Sequence, residues 1–136
     1  FVGKEVFMSG QEIESVRRHL EETEESGPDA PDVLRLIQSE REYLNHVRPA
    51  PDRFTPQVHL FPTPGPTAGS CSLLLVPPTR TIAIVGDAIL TRDHLEAGVV
   101  FEQSHDAEAA KDSLTELLEI ADVFVPGHDN TVVPMR

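Results

Sequence analysis

The 136-residue sequence contains no tryptophan, one tyrosine and one cysteine, and aromatic side chains make up only 5% of it. A single cysteine excludes an intramolecular disulfide. Set inside an apolar run, Cys71 reads as a small buried hydrophobe in a reducing compartment, so a cytoplasmic location is expected. Positive charge is also scarce: 11 Lys and Arg stand against 23 Asp and Glu, a formal charge of −12. A field of that sign repels polyanions and argues against a nucleic-acid partner. No apolar run approaches the ~18 residues of a membrane-crossing helix, so no membrane partner is expected either. Internal repeats and low-complexity tracts are absent. What remains, 39% apolar and 25% charged residues with 12 prolines, is the composition of a loop-rich globular chain. A chain of this length buries roughly two-thirds of the surface its unfolded form exposes, and residues 1–136 read as a single α/β unit. Phe1 leads at once into the strand-like Val2 to Met8. That abrupt opening suggests the later part of a longer polypeptide.

The first third of the sequence is helical in pattern. Ser9-Gly10-Gln11-Glu12 has the Ser-x-x-Glu spacing of a reciprocal helix cap, with Met8 and Ile13 as its staple. Ile13, Val16 and Leu20 form one stripe, and Glu14–Arg18 and Arg17–Glu21 have the four-residue spacing of ion pairs. Gly27-Pro28 ends this helix. Asp29 caps a second, with Pro31 in its first turn and Val33, Leu36, Ile37, Leu44 and Val47 as its apolar face. Residues 10–47 therefore read as a helical hairpin, suited to act as a lid or a dimerisation surface. Arg48 to Asp52 begins an extended linker. Three apolar strands follow, Val58–Phe61, Cys71–Val76 and Thr81–Val85, the last two joined by Pro77-Pro78-Thr79-Arg80 as a hairpin. Their nearly unbroken apolar character predicts burial on both faces. A long loop, 88–105, leads to a helix capped by Asp106 with Ala110, Leu114, Leu117, Leu118 and Ala121 on one stripe, then a strand at 123–125 and a strand fragment at 131–133.

Polar residues capable of chemistry gather on three loops. Thr63-Pro64-Gly65-Pro66-Thr67-Ala68-Gly69 follows the first strand of the apolar trio, Gly86-Asp87 the third, and Pro126-Gly127-His128-Asp129 the strand after the last helix. Glycine before Asp87 and before His128 allows a sharp turn that presents each side chain at a sheet edge. A carboxylate and an imidazole are suitable ligands for zinc or iron, although Gly-Asp after a strand also serves at ordinary tight turns.

The order of Thr63 to Ser70, Val85-Gly86-Asp87-Ala88, and Asp122 to Asn130, with a helix before the last, resembles the second half of the metallo-β-lactamase-fold hydrolase superfamily. The resemblance covers residues 57–133. It implies an α/β fold, half of a four-layered αβ/βα sandwich, built on a mixed sheet into which the helical hairpin is inserted. It also implies one or two metal ions, usually zinc and in one branch iron. Asp87 would be the carboxylate shared between metals and His128 a ligand of the second, with Asp129 and Asn130 as neighbours of the site. Two features depart from the family pattern. Pro66 stands where the Thr-Pro-Gly-His-Thr motif has its histidine, and proline offers no donor atom to a metal. The His-x-His-x-Asp-His segment is absent and would lie upstream of Phe1. His59, on the strand before Pro66, is either a substitute ligand or a packing residue. His94, Glu102 and His105 lie in the loop after Asp87, either as exposed-loop residues or, by the resemblance, as substrate contacts.

The expectation is a metal-dependent hydrolase using activated water on an ester, thioester, lactone or phosphoester, with an altered or single-metal site. The alternative is a non-catalytic family member acting as a binding or assembly module. Expected partners are a small-molecule substrate and either a missing N-terminal half or a second copy of the chain.

Overall fold

The computed structural model describes residues 4–27 and 30–133, which fall into two compact units, 1–50 and 51–136. Unit 1 runs β1 (Val6–Met8), α1 (Gly10–Glu25), α2 (Pro31–Leu44) and β2 (Val47–Pro49). β1 and β2 pair in parallel, Val6 opposite Val47. The cap of α1 forms as its sequence requires: Ser9 Oγ accepts the Glu12 N–H at 3.0 Å. Leu20, Ile37 and Leu44 are buried together, with Met8, Val16 and Val33 packed around them.

Several expectations for this unit are corrected. Val2, Pro28 and Asp29 lie outside the described residues; α2 has Ala30 as its N-cap with no side-chain cap bond, and Pro31 opens its first turn. Val47 is not part of α2, because the helix ends at Leu44 and the β-branched Val47 begins β2 against Val6. Leu36 is 61% exposed, since the buried stripe is Val33–Ile37–Leu44 and Leu36 falls beside it. The Glu14–Arg18 and Arg17–Glu21 pairs do not form. Arg41 instead reaches Glu24 on α1 at 2.6 Å, a half-exposed pair that contributes little to stability.

Unit 2 comprises β3 (Arg53–Thr55), β4 (Val58–Pro62), β5 (Cys71–Leu75), β6 (Ile82–Gly86), α3 (Arg92–Ala97), α4 (Ala107–Ile120) and β7 (Val123–Pro126). Its five strands lie in the order β3-β4-β5-β6-β7. All neighbours are antiparallel except β6 and β7. A parallel pair needs a long crossover, and α3 and α4 provide it. The short proline-rich link between β5 and β6 is a hairpin connection, as its length demands. Elements that differ from the sequence pattern include β3, which the supposed linker contributes, α3 within the supposed loop 88–105, and the carboxyl end, where among the described residues Val132 alone pairs, in a single bridge to Phe124.

The sheet is not buried alike on both faces. Leu74, Ala83, Val85 and Phe124 pack with Leu95 of α3 and Leu114 and Leu117 of α4. Alternate residues point the other way, and there Leu73, Leu75 and Ile82 are half-buried and Ile84 is 40% exposed. Both helices belong to the same core cluster on one face, which is why a continuous apolar run does not produce two buried faces here. Leu118 is likewise 41% exposed, off the α4 stripe of Ala110, Leu114 and Leu117. Cys71 is half-buried, its thiol directed to the Gly69 carbonyl. Among the described residues no helix is long and apolar enough to cross a membrane.

Candidate metal-ligand pair and adjoining pocket

Strand direction gathers the three loops. β4 and β6 are each antiparallel to β5, so they run the same way, and β7 runs parallel to β6. The carboxyl ends of β4, β6 and β7 therefore share one end of the sheet, and so do residues 63–70, Asp87 and His128. This end of an α/β sheet is where such folds place ligands.

The β6 and β7 loops are tied to each other through backbone. Gly127 N–H donates to Gly86 O at 3.0 Å and to Ile89 O at 3.1 Å, and His128 N–H donates to Leu90 O at 2.9 Å. The two glycines serve different needs. Gly86 has φ of +51°, a conformation that favours glycine. Gly127 is required for space: a Cβ there would sit 2.7 Å from Gly86 O and 2.8 Å from Gly86 C. That close approach aligns Asp87 and His128, whose Oδ1 and Nε2 lie 3.2 Å apart with both side chains more than half exposed.

The β4 loop is also well held but carries no His, Cys, Asp or Glu. Thr63 and Ser72, both buried, share a hydroxyl hydrogen bond of 3.1 Å. Ser113 Oγ of α4 donates to Pro64 O at 2.7 Å. Gly65 presses so closely on the helix that a Cβ would fall 2.5 Å from that of Ala110. Pro66, half-buried, accepts the His105 N–H at its carbonyl at 3.2 Å.

The pair suits a metal in chemistry and spacing but not in number. Zinc held at about 2.0–2.2 Å by nitrogen and oxygen in tetrahedral geometry sets neighbouring donors roughly 3.4 Å apart, close to the separation seen. Catalytic zinc takes three protein ligands and structural zinc four. Among the described residues no three His, Cys, Asp or Glu side chains come together as a metal site. His59 belongs to no such group, and its Nε2 is bonded to Pro56 O at 3.1 Å. Asp87 and His128 are thus two candidate donors, and no metal site is complete among the described residues.

A hollow of about 330 Å³ opens beside the pair, lined by Asp87, Leu90, Thr91, His94, Phe101 and His128. His94 reaches it because residues 92–97, expected as loop, form α3. Signals for that helix were present: Thr91 is its N-cap, accepting the His94 N–H, and Gly98 closes it at φ of +64°. Glu102 lines a second cleft, which shares His94 and Phe101 with the first. His105 borders neither hollow.

Asp129 is turned away from the pair. Its carboxylate accepts the Arg92 N–H at 3.0 Å and the Asn130 N–H at 2.7 Å, fastening the last loop to the start of α3. Those backbone donors, Arg92 foremost and then Asn130, hold the carboxyl below the usual carboxylate range. A lowered folded-state pKa contributes stability above the unfolded value of 3.8, lost as pH falls through the folded value. Asp129→Ala is therefore expected to lower the urea midpoint at neutral pH, and the difference from the native chain should vanish in acid once the native carboxyl is protonated.

The fold these elements define is half of a four-layered metallo-β-lactamase sandwich, α/β with a mixed sheet. No family model matches the sequence, and no curated protein matches it significantly. Solved structures do. AidC, a dizinc quorum-quenching lactonase solved with its product N-hexanoyl-L-homoserine, aligns with a TM-score of 0.67 and 14% identity over 100% of this chain and 56% of its own. The hydrolase AbOPH of the β-lactamase superfamily aligns at 0.65 and 14% identity, over 95% of this chain and 49% of its own. An AiiA mutant from B. thuringiensis with N-decanoyl-L-homoserine at its active site aligns at 0.60 and 20%, over 95% and 48%. At such identities the likeness is one of fold, and this chain spans about half the length of each neighbour.

Proposed function

We propose that this chain is the carboxyl-terminal half of a metal-dependent hydrolase with an altered, single-metal site to which Asp87 and His128 contribute two ligands. The remaining ligands would come from outside these residues, on a preceding stretch or on a partner chain. The observation that carries this reading is the convergence of Asp87 and His128 to 3.2 Å at the ends of two parallel strands, in a fold whose solved neighbours include a dizinc lactonase. In this reading residues 1–136 are one partial domain, with the helical hairpin an insertion. Zinc suits an imidazole and a carboxylate, and iron is the alternative. When bound, the metal supplies a water of near-neutral pKa and a Lewis acid for the oxygen under attack. The chain's own residues set the geometry: the Gly127–Gly86 contact fixes the angle between the two ligands, and the 330 Å³ hollow receives the substrate beside them. An ester, thioester, lactone or phosphoester is the substrate class.

A non-catalytic binding or assembly module is the second reading, favoured by the absence of a third donor among the described residues. Turnover separates the two. The full-length gene product should cleave p-nitrophenyl esters, thioesters or lactones in a chelator-sensitive way. Asp87→Asn and His128→Ala should reduce that turnover to background while circular dichroism stays native. Turnover that survives both chelation and these substitutions contradicts the reading, and no turnover on any of these substrates favours the module.

A further inference from the structure

We propose that His94 is a substrate-binding residue, with its Nε2 hydrogen-bonding to the polar group beside the scissile bond and the adjoining cleft receiving an uncharged apolar arm. This deepens the hydrolase reading and rests on it. Three observations carry it. His94 lines the 330 Å³ hollow together with Asp87 and His128. It also lines a second, larger cleft of about 590 Å³, and only His94 and Phe101 are common to both walls. A group in that position is met by any ligand that occupies both hollows.

The third observation is the tether on the ring. His94 Nδ1 is 2.8 Å from Thr91 Oγ1, and the same hydroxyl accepts the His94 backbone N–H at 3.4 Å. One ring nitrogen is thereby committed to the start of α3. Among the described residues Nε2 has no hydrogen-bond partner. If the hydroxyl donates to Nδ1, Nε2 carries the proton and donates to a substrate oxygen; with the other tautomer it accepts from a substrate N–H or O–H. In both cases the free nitrogen is held by a half-buried, pre-positioned ring, which lowers the entropy lost when the ligand is fixed.

The cleft indicates the rest of the ligand. Val99, Val100, Phe101 and Ala107 give it apolar walls, with Glu102 and Lys111 of opposite charge also on its lining. Val99 is 50% exposed and Phe101 36%, so apolar surface is available for burial. A formal charge of −12 disfavours a highly anionic arm. An uncharged acyl or alkyl chain fits these walls better than a phosphodiester.

The experiment uses the full-length, metal-loaded protein and p-nitrophenyl esters from acetyl to octanoyl. His94→Phe should raise KM about tenfold or more with metal content unchanged, His94→Gln should recover part of that loss, and Phe101→Ala should flatten the dependence of KM on chain length. Independently of turnover, the ¹⁵N ring resonances of His94 should shift on adding octanamide, which is not cleaved. Unchanged KM in His94→Phe, no shift with octanamide, or metal lost from His94→Phe would each overturn the proposal. If the native protein cleaves none of the esters but octanamide still shifts His94, the binding role of His94 stands and the hydrolase reading fails.

Discussion

Gly127→Ala is expected to lower stability by about 1–3 kcal/mol, the usual cost of forcing atoms into a filled space. It should also weaken metal binding by the full-length protein about 10–100-fold, as loss of the groups that orient a ligand does. The added methyl would sit 2.7 Å from Gly86 O and 3.1 Å from Asp87 Oδ1. The first neighbour is backbone inside a strand end and cannot swing away. To relieve the overlap the β6 and β7 loops must part, stretching the hydrogen bonds from Gly127 N–H to Gly86 O and Ile89 O, and the same movement separates Asp87 from His128. Gly10→Ala is the control, since a Cβ there meets nothing within 4 Å. Urea unfolding and a zinc titration of both variants check the prediction. A Gly127→Ala protein indistinguishable from native in both would mean that the close approach of the loops does not set the site.

Pro66→His in the full-length protein is expected to raise its metal content from one ion to two. The β4 loop is already shaped and anchored without the histidine: Thr63, Pro64 and Gly65 are held against β5 and α4 by the contacts around Ser72, Ser113 and Ala110. The hydrogen bond Pro66 makes is through its carbonyl, which accepts the His105 N–H and which histidine retains. A side chain with a nitrogen donor is therefore placed into a prebuilt loop at the same sheet end as Asp87 and His128. Pro66→Ala should stay at one ion, which separates the new ligand from release of the proline ring. Elemental analysis reads both. A Pro66→His protein that remains at one ion would show that the first site has been lost at more than this position.

Much of unit 2 was legible because its strands are apolar runs punctuated by glycine and proline, and because Asp106 sits where a helix cap must. What escaped was short or long-range. Three-residue strands such as β2 and β3 carry too little pattern to separate from a helix tail or a linker, so Val47 reads in sequence as part of α2. α3 spans only six residues, so its Thr91 and Gly98 signals stood without a periodic face between them. Continuous apolar strands hid the difference between a sheet covered on two faces and one with its helices on a single face. At the site, Asp87 and His128 stood out as loop residues after glycine. Their approach to 3.2 Å depends on β6 and β7 pairing in parallel across a 41-residue separation, which no local pattern encodes. In sequence Gly127 signals freedom to turn, whereas the structure shows it as room for the neighbouring loop.

The proposed site holds a single metal ion, with Asp87 and His128 among its ligands. Elemental analysis of the full-length protein, purified and dialysed without chelator, should find one tightly bound ion per chain, lost in Asp87→Asn and in His128→Ala. Two tightly held ions, or none, would contradict it.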